Sequence, residues 1–252
     1  MKLAGRTILV TGGASGIGRG FAEAFHARGA QVIVAGRRAE ALAEVVAANP
    51  GMAAITLDVA DGASLAAFTA RLLAAHPALD TVVNNAGIMR AEAIGDTGHL
   101  ADAEETVATN LLGPIRLTSH LLPHLLGRPR AAVINVTSGL AFVPLAMTPT
   151  YSATKAALHS YTASLRHRLA GTSVEVIEIA PPYVQTELMG EAQASDPRAM
   201  PLGDFLAESV AKLEAEPTPA EVIVDRCRPL RDAEATGAFA ETFAGLNDAM
   251  HH

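Results

Sequence analysis

Tyr151 and Lys155 stand four residues apart in the run YSATKAALHSYTASLRHR, whose helical patterning puts both on one face. A phenol titrates near pH ~10 and makes a poor acid–base group at neutrality. An ammonium one helical turn away stabilises the phenolate and brings that titration closer to use. Thirteen residues upstream, just past the apolar run AAVINV, Ser138 offers a hydroxyl that can hydrogen-bond an oxygen on which charge develops. Together the three suit proton exchange with a substrate oxygen. Each also has a plainer reading, because Tyr/Lys pairs at this spacing are common on helices and serine is common in turns at strand ends.

A second constellation lies near the N-terminus, where TILVT runs straight into GGASGIG and then into a helical pattern. Gly12 permits a tight turn, Gly16 lets the backbone approach a phosphate, and Gly18 allows a helix to pack closely on a strand. A diphosphate would then sit at the helix N-terminus, where free N–H groups and the helix dipole favour an anion. Such glycines occur in many ligand-free loops; their position after the first strand of an alternating chain is what gives them weight. The next strand-like run, QVIVA, ends in Gly36-Arg37-Arg38. No carboxylate is present there to hold an adenosine ribose, and an arginine fork pairs well with a 2′-phosphate. NADP(H) is therefore expected over NAD(H), against the alternative that Arg37 and Arg38 are solvated charges opening a helix.

The elements that must position these residues follow from the patterning. Strands are predicted over residues 7–11, 31–35, 53–58, 81–84, 131–137 and 173–180, and helices over 17–28, 39–48, 63–75, 99–126 and 150–170. This alternation predicts an α/β fold with a parallel sheet covered by helices on both faces, and continuously apolar runs such as ILV and VIV fit strands buried on both sides. With 252 residues, no repeat and no linker, the chain is expected to form a single domain spanning 1–252. Four prolines break the pattern between 188 and 219, around a helical insert near 204–213. That stretch reads either as a lid or binding loop or as a plain surface loop.

Half of the residues are apolar, enough for a large core, and a net charge of −7 argues against nucleic-acid binding, which needs a basic face. No apolar run reaches the length of a membrane span and no secretory leader is recognisable. The lone Cys227 has no disulfide partner and reads as inert filler. These features lead to the expectation of a cytoplasmic protein. Nine histidines are scattered; His120 and His124 are four apart but lack a third ligand, so no metal site is expected. His159, Arg166 and His167 are expected to face a neighbour or solvent, no nucleophile elbow surrounds Ser138, and His251-His252 resembles the start of an expression tag.

TGGASGIG resembles the cofactor loop of the classical short-chain dehydrogenase/reductase family. Further matches follow in order: Asp58 in LDV, Asn84-Asn85-Ala86-Gly87, Asn110, Ser138, Tyr151-x-x-x-Lys155, and Pro181 onward to Thr186. The resemblance covers about residues 5–190 and is greatest to the bacterial DltE-like branch. It implies a Rossmann-type, doubly wound, three-layer α/β/α domain acting as an NAD(P)-dependent oxidoreductase on a small carbonyl or alcohol. It further implies that Tyr151 gives the proton in reduction and takes it in oxidation. Lys155 would lower the phenol's pKa and hold the nicotinamide ribose, Ser138 would orient the carbonyl, and Asn110 would hold a relay water. Cofactor contacts carried over are Gly12, Ser15, Ile17, Asp58, Val59, Asn84, Ala86, Gly87, Pro181, Val184 and Thr186, beside Gly16, Gly18, Arg37 and Arg38. Other enzymes on this scaffold, such as an epimerase or dehydratase, and a non-catalytic dinucleotide sensor are the alternatives.

Two departures stand out. Family members usually carry Pro-Gly after the sixth strand, whereas this chain has Pro181-Pro182, which removes both an N–H and glycine's freedom. Tyr183 then projects toward the substrate or packs on the sheet edge. After Pro219 no seventh strand is recognisable, and residues 220–232 and 234–246 read as helices. A homodimer through the helices carrying Asn110 and Tyr151 is expected. The segment 139–150 is apolar, with Phe142, Val143, Leu145 and Met147, which favours a neutral, hydrophobic substrate.

Overall fold

The structure is a computed structural model and describes residues 1–95 and 97–249; His251-His252 lies outside them. Seven strands form one parallel sheet in the order β3-β2-β1-β4-β5-β6-β7. They are β1 Thr7–Thr11, β2 Gln31–Gly36, β3 Ala53–Thr56, β4 Thr81–Asn84, β5 Ala131–Val136, β6 Val174–Ala180 and β7 Glu221–Ile223. Central β1, β4 and β5 are buried at every position, which explains why they carry uninterrupted Val, Ile and Leu rather than alternation. Strand order reverses between β1 and β4, so the chain leaves their carboxyl ends in opposite directions and opens a crevice there.

The two faces of the sheet have separate cores. Ile8, Val10 and Val34 point into one, with Phe21 and Phe25 of α1 (Gly16–His26), Leu42 and Val45 of α2 (Ala39–Ala48) and Phe205 of α8 (Leu202–Leu213). Leu9, Ile33 and Val82 point into the other, against α3 (Leu65–Ala75) and Leu117, Leu121 and Leu125 of α5 (Gly113–Leu126). Alternate β1 residues thus divide between two cores, as a pleated strand requires.

The expected helix over 99–126 is three pieces: α4 (Leu100–Val107), a π-helical turn (Ala108–Leu112) and α5 (Gly113–Leu126). The turn holds Asn110, in keeping with the tendency of such bulges to lie at functional sites. Beyond it run α6 (Pro149–Arg168), the short α7 (Glu191–Ser195), α8 (Leu202–Leu213), α9 (Arg228–Arg231) and α10 (Phe239–Ala249). The expectation of helix from 220 is corrected: β7 is present and pairs with β6, Glu178 opposite Glu221. Its three residues are too few for a period-2 signal to show. Among the described residues no helix is long and apolar enough to cross a membrane.

Candidate active site

The crevice at the carboxyl ends of β1 and β4 is the mouth of a cleft of about 900 Å³. Gly12, Ser15, Gly16, Ile17 and Gly18 line one end. Gly12 has φ +67°, closed to most side chains, and a Cβ on Gly18 would lie 2.3 Å from the Gly12 carbonyl oxygen and 2.4 Å from Asn85 Nδ2. Only glycine lets α1 begin this close to the loop. Ser15 is the N-cap of α1, yet its side chain caps no helix N–H; its Oγ accepts instead from Arg38 Nη2 at 3.0 Å. The first-turn N–H groups therefore keep no side-chain partner and point their dipole at the cleft, a donor set that fits a diphosphate.

Arg37 and Arg38 both border the cleft, but only Arg38 reaches the glycine loop. Arg37 pairs with Glu105 of α4 at 3.3 Å, and Glu105 also holds Arg90 at 2.7 Å. At the end of β4 it is Asn85, Ala86 and Gly87 that line the cleft, while Asn84 turns inward. Asn84 Nδ2 donates to Thr118 Oγ1 and Asn135 Oδ1, and Asn135 in turn donates to Thr162, a buried network joining β4, β5, α5 and α6. Asp58 and Val59 are likewise not brought to the cleft. The Asp58 carboxylate accepts from Ala60 N–H at 3.0 Å, and Val59 is buried against Gly113.

At the opposite side Ser138, Tyr151 and Lys155 converge on the cleft, as do Pro181, Val184 and Thr186. Ser138 Oγ accepts from Leu140 N–H at 3.1 Å, leaving its own proton for the phenol. Lys155 Nζ donates to the Val136 carbonyl at 2.8 Å and lies 5.5 Å from the centre of the Tyr151 ring. Burial pushes the Tyr151 phenol up to about 12, with the Ser138 hydrogen bond working against it. Burial pulls the Lys155 ammonium down to about 8, opposed by the Glu178 carboxylate. The phenol therefore lies above its ordinary value, where the resemblance places it below. Asn110 lies behind the cleft wall. Its amide donates to Ile88 O at 2.8 Å and accepts from Ile88 N at 2.9 Å, fixing the strand end beside Gly87.

The apolar segment 139–150 divides. Leu140 and Leu145 face the cleft, but Val143 is fully buried in the core. Phe142 points elsewhere, edge-on to His159 with ring centres 5.0 Å apart and under the Arg231 guanidinium at 4.8 Å. Distant residues complete the wall instead: Tyr183, Met189, Leu230 and Leu246. Asn247 fastens α10 to the loop before Tyr151, its Oδ1 accepting from Ala146 N at 2.6 Å and its Nδ2 donating to Pro144 O at 3.3 Å. Gln193 pins the segment after β6, donating to Val184 O at 2.8 Å and Thr186 Oγ1 at 3.1 Å. Glu92 accepts from Thr150 N–H at 2.9 Å and so caps α6 from outside, one residue before Tyr151. None of these carries a local motif, and Asn247 and Glu92 act across long sequence separations. Tyr183 faces the cleft while its hydroxyl donates to Asp196 at 3.1 Å.

Of the two readings of His159, a neighbour is the one found: its Nδ1 lies 2.8 Å from the buried Glu178 carboxylate. Folding brings ligand atoms of His159, Glu178 and Glu221 within 4.8 Å of one another. Arg231 already pairs with Glu221 at 2.7 Å, and Thr137 donates to Glu178 at 2.6 Å, so the cluster is internally satisfied. Cys227 is buried and its thiol is pushed up to about 12 by burial, consistent with a packing role.

A family model described as short chain dehydrogenase matches residues 6–197. The chain is 44% identical over 190 residues, 75% of each sequence, to "Uncharacterized oxidoreductase DltE" of Bacillus subtilis. It superposes on a short chain dehydrogenase of Burkholderia cenocepacia in complex with NADP with a TM-score of 0.83, 26% identity, and 98% and 99% of the two chains covered. The fold is shared equally with a short chain dehydrogenase/reductase of Burkholderia phymatum in complex with NAD, at a TM-score of 0.79, 22% identity, and 94% and 96% coverage.

Proposed function

The chain belongs to the short-chain dehydrogenase/reductase family of NAD(P)-dependent oxidoreductases, and we propose that it interconverts a neutral, apolar carbonyl compound and its alcohol using NADP(H), with Tyr151 as acid and base. The observation that carries the reading is one cleft with two ends. The uncapped first turn of α1 lies at one end, and Ser138, Tyr151 and Lys155 meet at the other. When bound, the nicotinamide gives or accepts the hydride.

The chain's own residues do the rest. Gly16, Gly18 and the first N–H groups of α1 hold the diphosphate. Arg38, held by Ser15 at the edge of the loop, takes the 2′-phosphate, with Arg37 beside it at the mouth. Ser138 orients the substrate oxygen, and the Tyr151 hydroxyl, protonated at neutral pH, gives its proton to the developing alkoxide. Lys155 spends one donor on Val136 and has others for the ribose, while its charge compensates the phenolate left behind. Asn110 positions the Ile88–Gly87 backbone that borders the nicotinamide end. Leu140, Leu145, Met189, Leu230 and Leu246 supply an apolar wall for the substrate.

A panel of ketones and alcohols with NADPH, NADH and their oxidised forms, followed by nicotinamide absorbance, tests this reading. NADPH turnover with neutral hydrophobic ketones is the expected result. A clear kcat/KM preference for NADH would sink the cofactor assignment, and turnover with no net change in absorbance would indicate an epimerase or dehydratase. We also propose a dimer through α5 and α6, since the outward face of α6 presents Ala153, Ala156, Ser160 and Ala163, small residues that allow close approach. A monomeric mass in solution contradicts it.

A further inference from the structure

Glu178 is a carboxylate with no exposed surface, set between Ile177 and Ile179 in the sixth strand. A buried charge is costly unless it is held by donors and faces an opposite charge. Two donors hold it: Thr137 Oγ1 at 2.6 Å and His159 Nδ1 at 2.8 Å from its two oxygens. Both belong to residues next to the chemistry. Thr137 follows Val136, whose carbonyl accepts from Lys155, and precedes Ser138. His159 lies one helical turn beyond Lys155, which itself lies one turn beyond Tyr151. The contacts close a ring: Lys155 to Val136, along the strand to Thr137, across to Glu178, up to His159 and back down α6.

The other charged groups around Glu178 are already matched. Arg231 is spent on Glu221 of β7, at 2.7 and 3.3 Å, and rests over the Phe142 ring. Cys227, from the turn after β7, is a thiol that burial keeps neutral. Lys155 is buried with no carboxylate of its own, and Glu178 is the carboxylate that favours its charged form.

We propose that Glu178, held in place by Thr137 and His159, is a positioning residue that keeps Lys155 in its ammonium form at the active site. This rests on Tyr151 and Lys155 acting as proposed above. Neutral Lys155 would leave a Tyr151 phenolate without its counter-charge, so the negative charge of Glu178 sets the upper pH at which the pair works. His159 and Thr137 act by fixing the carboxylate, not by touching substrate.

The test reads Lys155 directly. Lys2, Lys155 and Lys212 are the chain's lysines, so ¹³Cε-lysine labelling gives three resonances to follow against pH in the purified protein. In Glu178→Gln, which keeps size and an acceptor but removes the charge, the Lys155 midpoint is expected to fall by about one pH unit. The alkaline limb of kcat/KM for NADPH-dependent reduction should fall with it, with the melting temperature recorded as a control for folding. His159→Ala admits water to the carboxylate and screens it, so its midpoint should fall by a smaller amount; that variant decides the matter if Glu178→Gln does not fold. An unmoved Lys155 midpoint in the folded variant overturns the proposal even where Tyr151→Phe has lost turnover. Retained turnover in Tyr151→Phe instead overturns the catalytic reading and leaves the resonance measurement standing.

Discussion

The glycine loop at one end of the cleft and the wall built from Tyr183, Leu230 and Leu246 at the other face each other, but are held by different kinds of contact. The cofactor end is backbone geometry: a positive φ at Gly12, a Cβ-free approach at Gly18, and an uncapped helix start. The wall is held by side chains reaching far along the chain. Asn247 bonds to Ala146, and Arg198 pairs with Asp196 and donates to the Ala249 carbonyl at 2.8 Å. Backbone geometry admits few substitutions, whereas the wall draws Leu230 and Leu246 from beyond residue 197, where the family model ends. On the proposed reading, the backbone-built end serves the cofactor and the side-chain-built wall serves the substrate.

Tyr151 sits at the seam, and Tyr151→Phe should have the largest effect, lowering kcat by roughly 10²- to 10⁴-fold while NADPH affinity stays near the original. Stopped-flow turnover and a fluorescence titration of NADPH measure the two. Near-normal turnover would mean the seam is not where the chemistry lies. Lys155→Met probes the same seam through pH. The unfolded lysine keeps its proton up to about 10.5 and the folded one only to about 8. The unfolded chain thus binds more protons across that window, so stability rises with pH from about 8 to about 10.5. The Tyr151 phenol works oppositely, because the folded form keeps its proton from about 10 up to about 12, and stability falls there. Lys155→Met should abolish the rise and keep the fall. Urea unfolding against pH reads this directly.

Gly18→Ala attacks the cofactor end alone. Its methyl must displace the Gly12 carbonyl, costing about 2–3 kcal/mol and weakening NADPH binding at least tenfold, by melting temperature and titration. Asn247→Ala attacks only the wall. It should cost about 1 kcal/mol and raise KM for an apolar ketone several-fold with NADPH affinity unchanged. If Asn247→Ala instead weakened NADPH binding, the two ends would not be independent.

Much of the cofactor end was legible because its signals are local. The spacing of Gly12, Gly16 and Gly18 after one strand, and Tyr151 and Lys155 one helical turn apart, survive as patterns because strand and helix periods act over a few residues. Asn84 and Asn85 show where that stopped. Asn84 ends β4 and Asn85 follows it, but which one faces the cleft depends on Thr118, Asn135 and Thr162, residues on three other elements. Arg37 and Arg38 were equally plausible until Glu105 drew one aside. Phe142 is apolar and close to Ser138, yet it packs on His159 and Arg231 because the C-terminal segment folds back against it.

Local pattern alone set the order of the first six strands and the helices between them, the family, the glycine loop and the Ser138, Tyr151 and Lys155 set, since each signal spans a short stretch of chain. Tertiary structure decided the π-helical turn at Asn110, the short β7, the wall from Leu230 and Leu246, and the burial that moves Tyr151 and Lys155 away from their ordinary titration. Those depend on which distant side chains come together and on how much water is left around them, and neither is a property of a short stretch of residues.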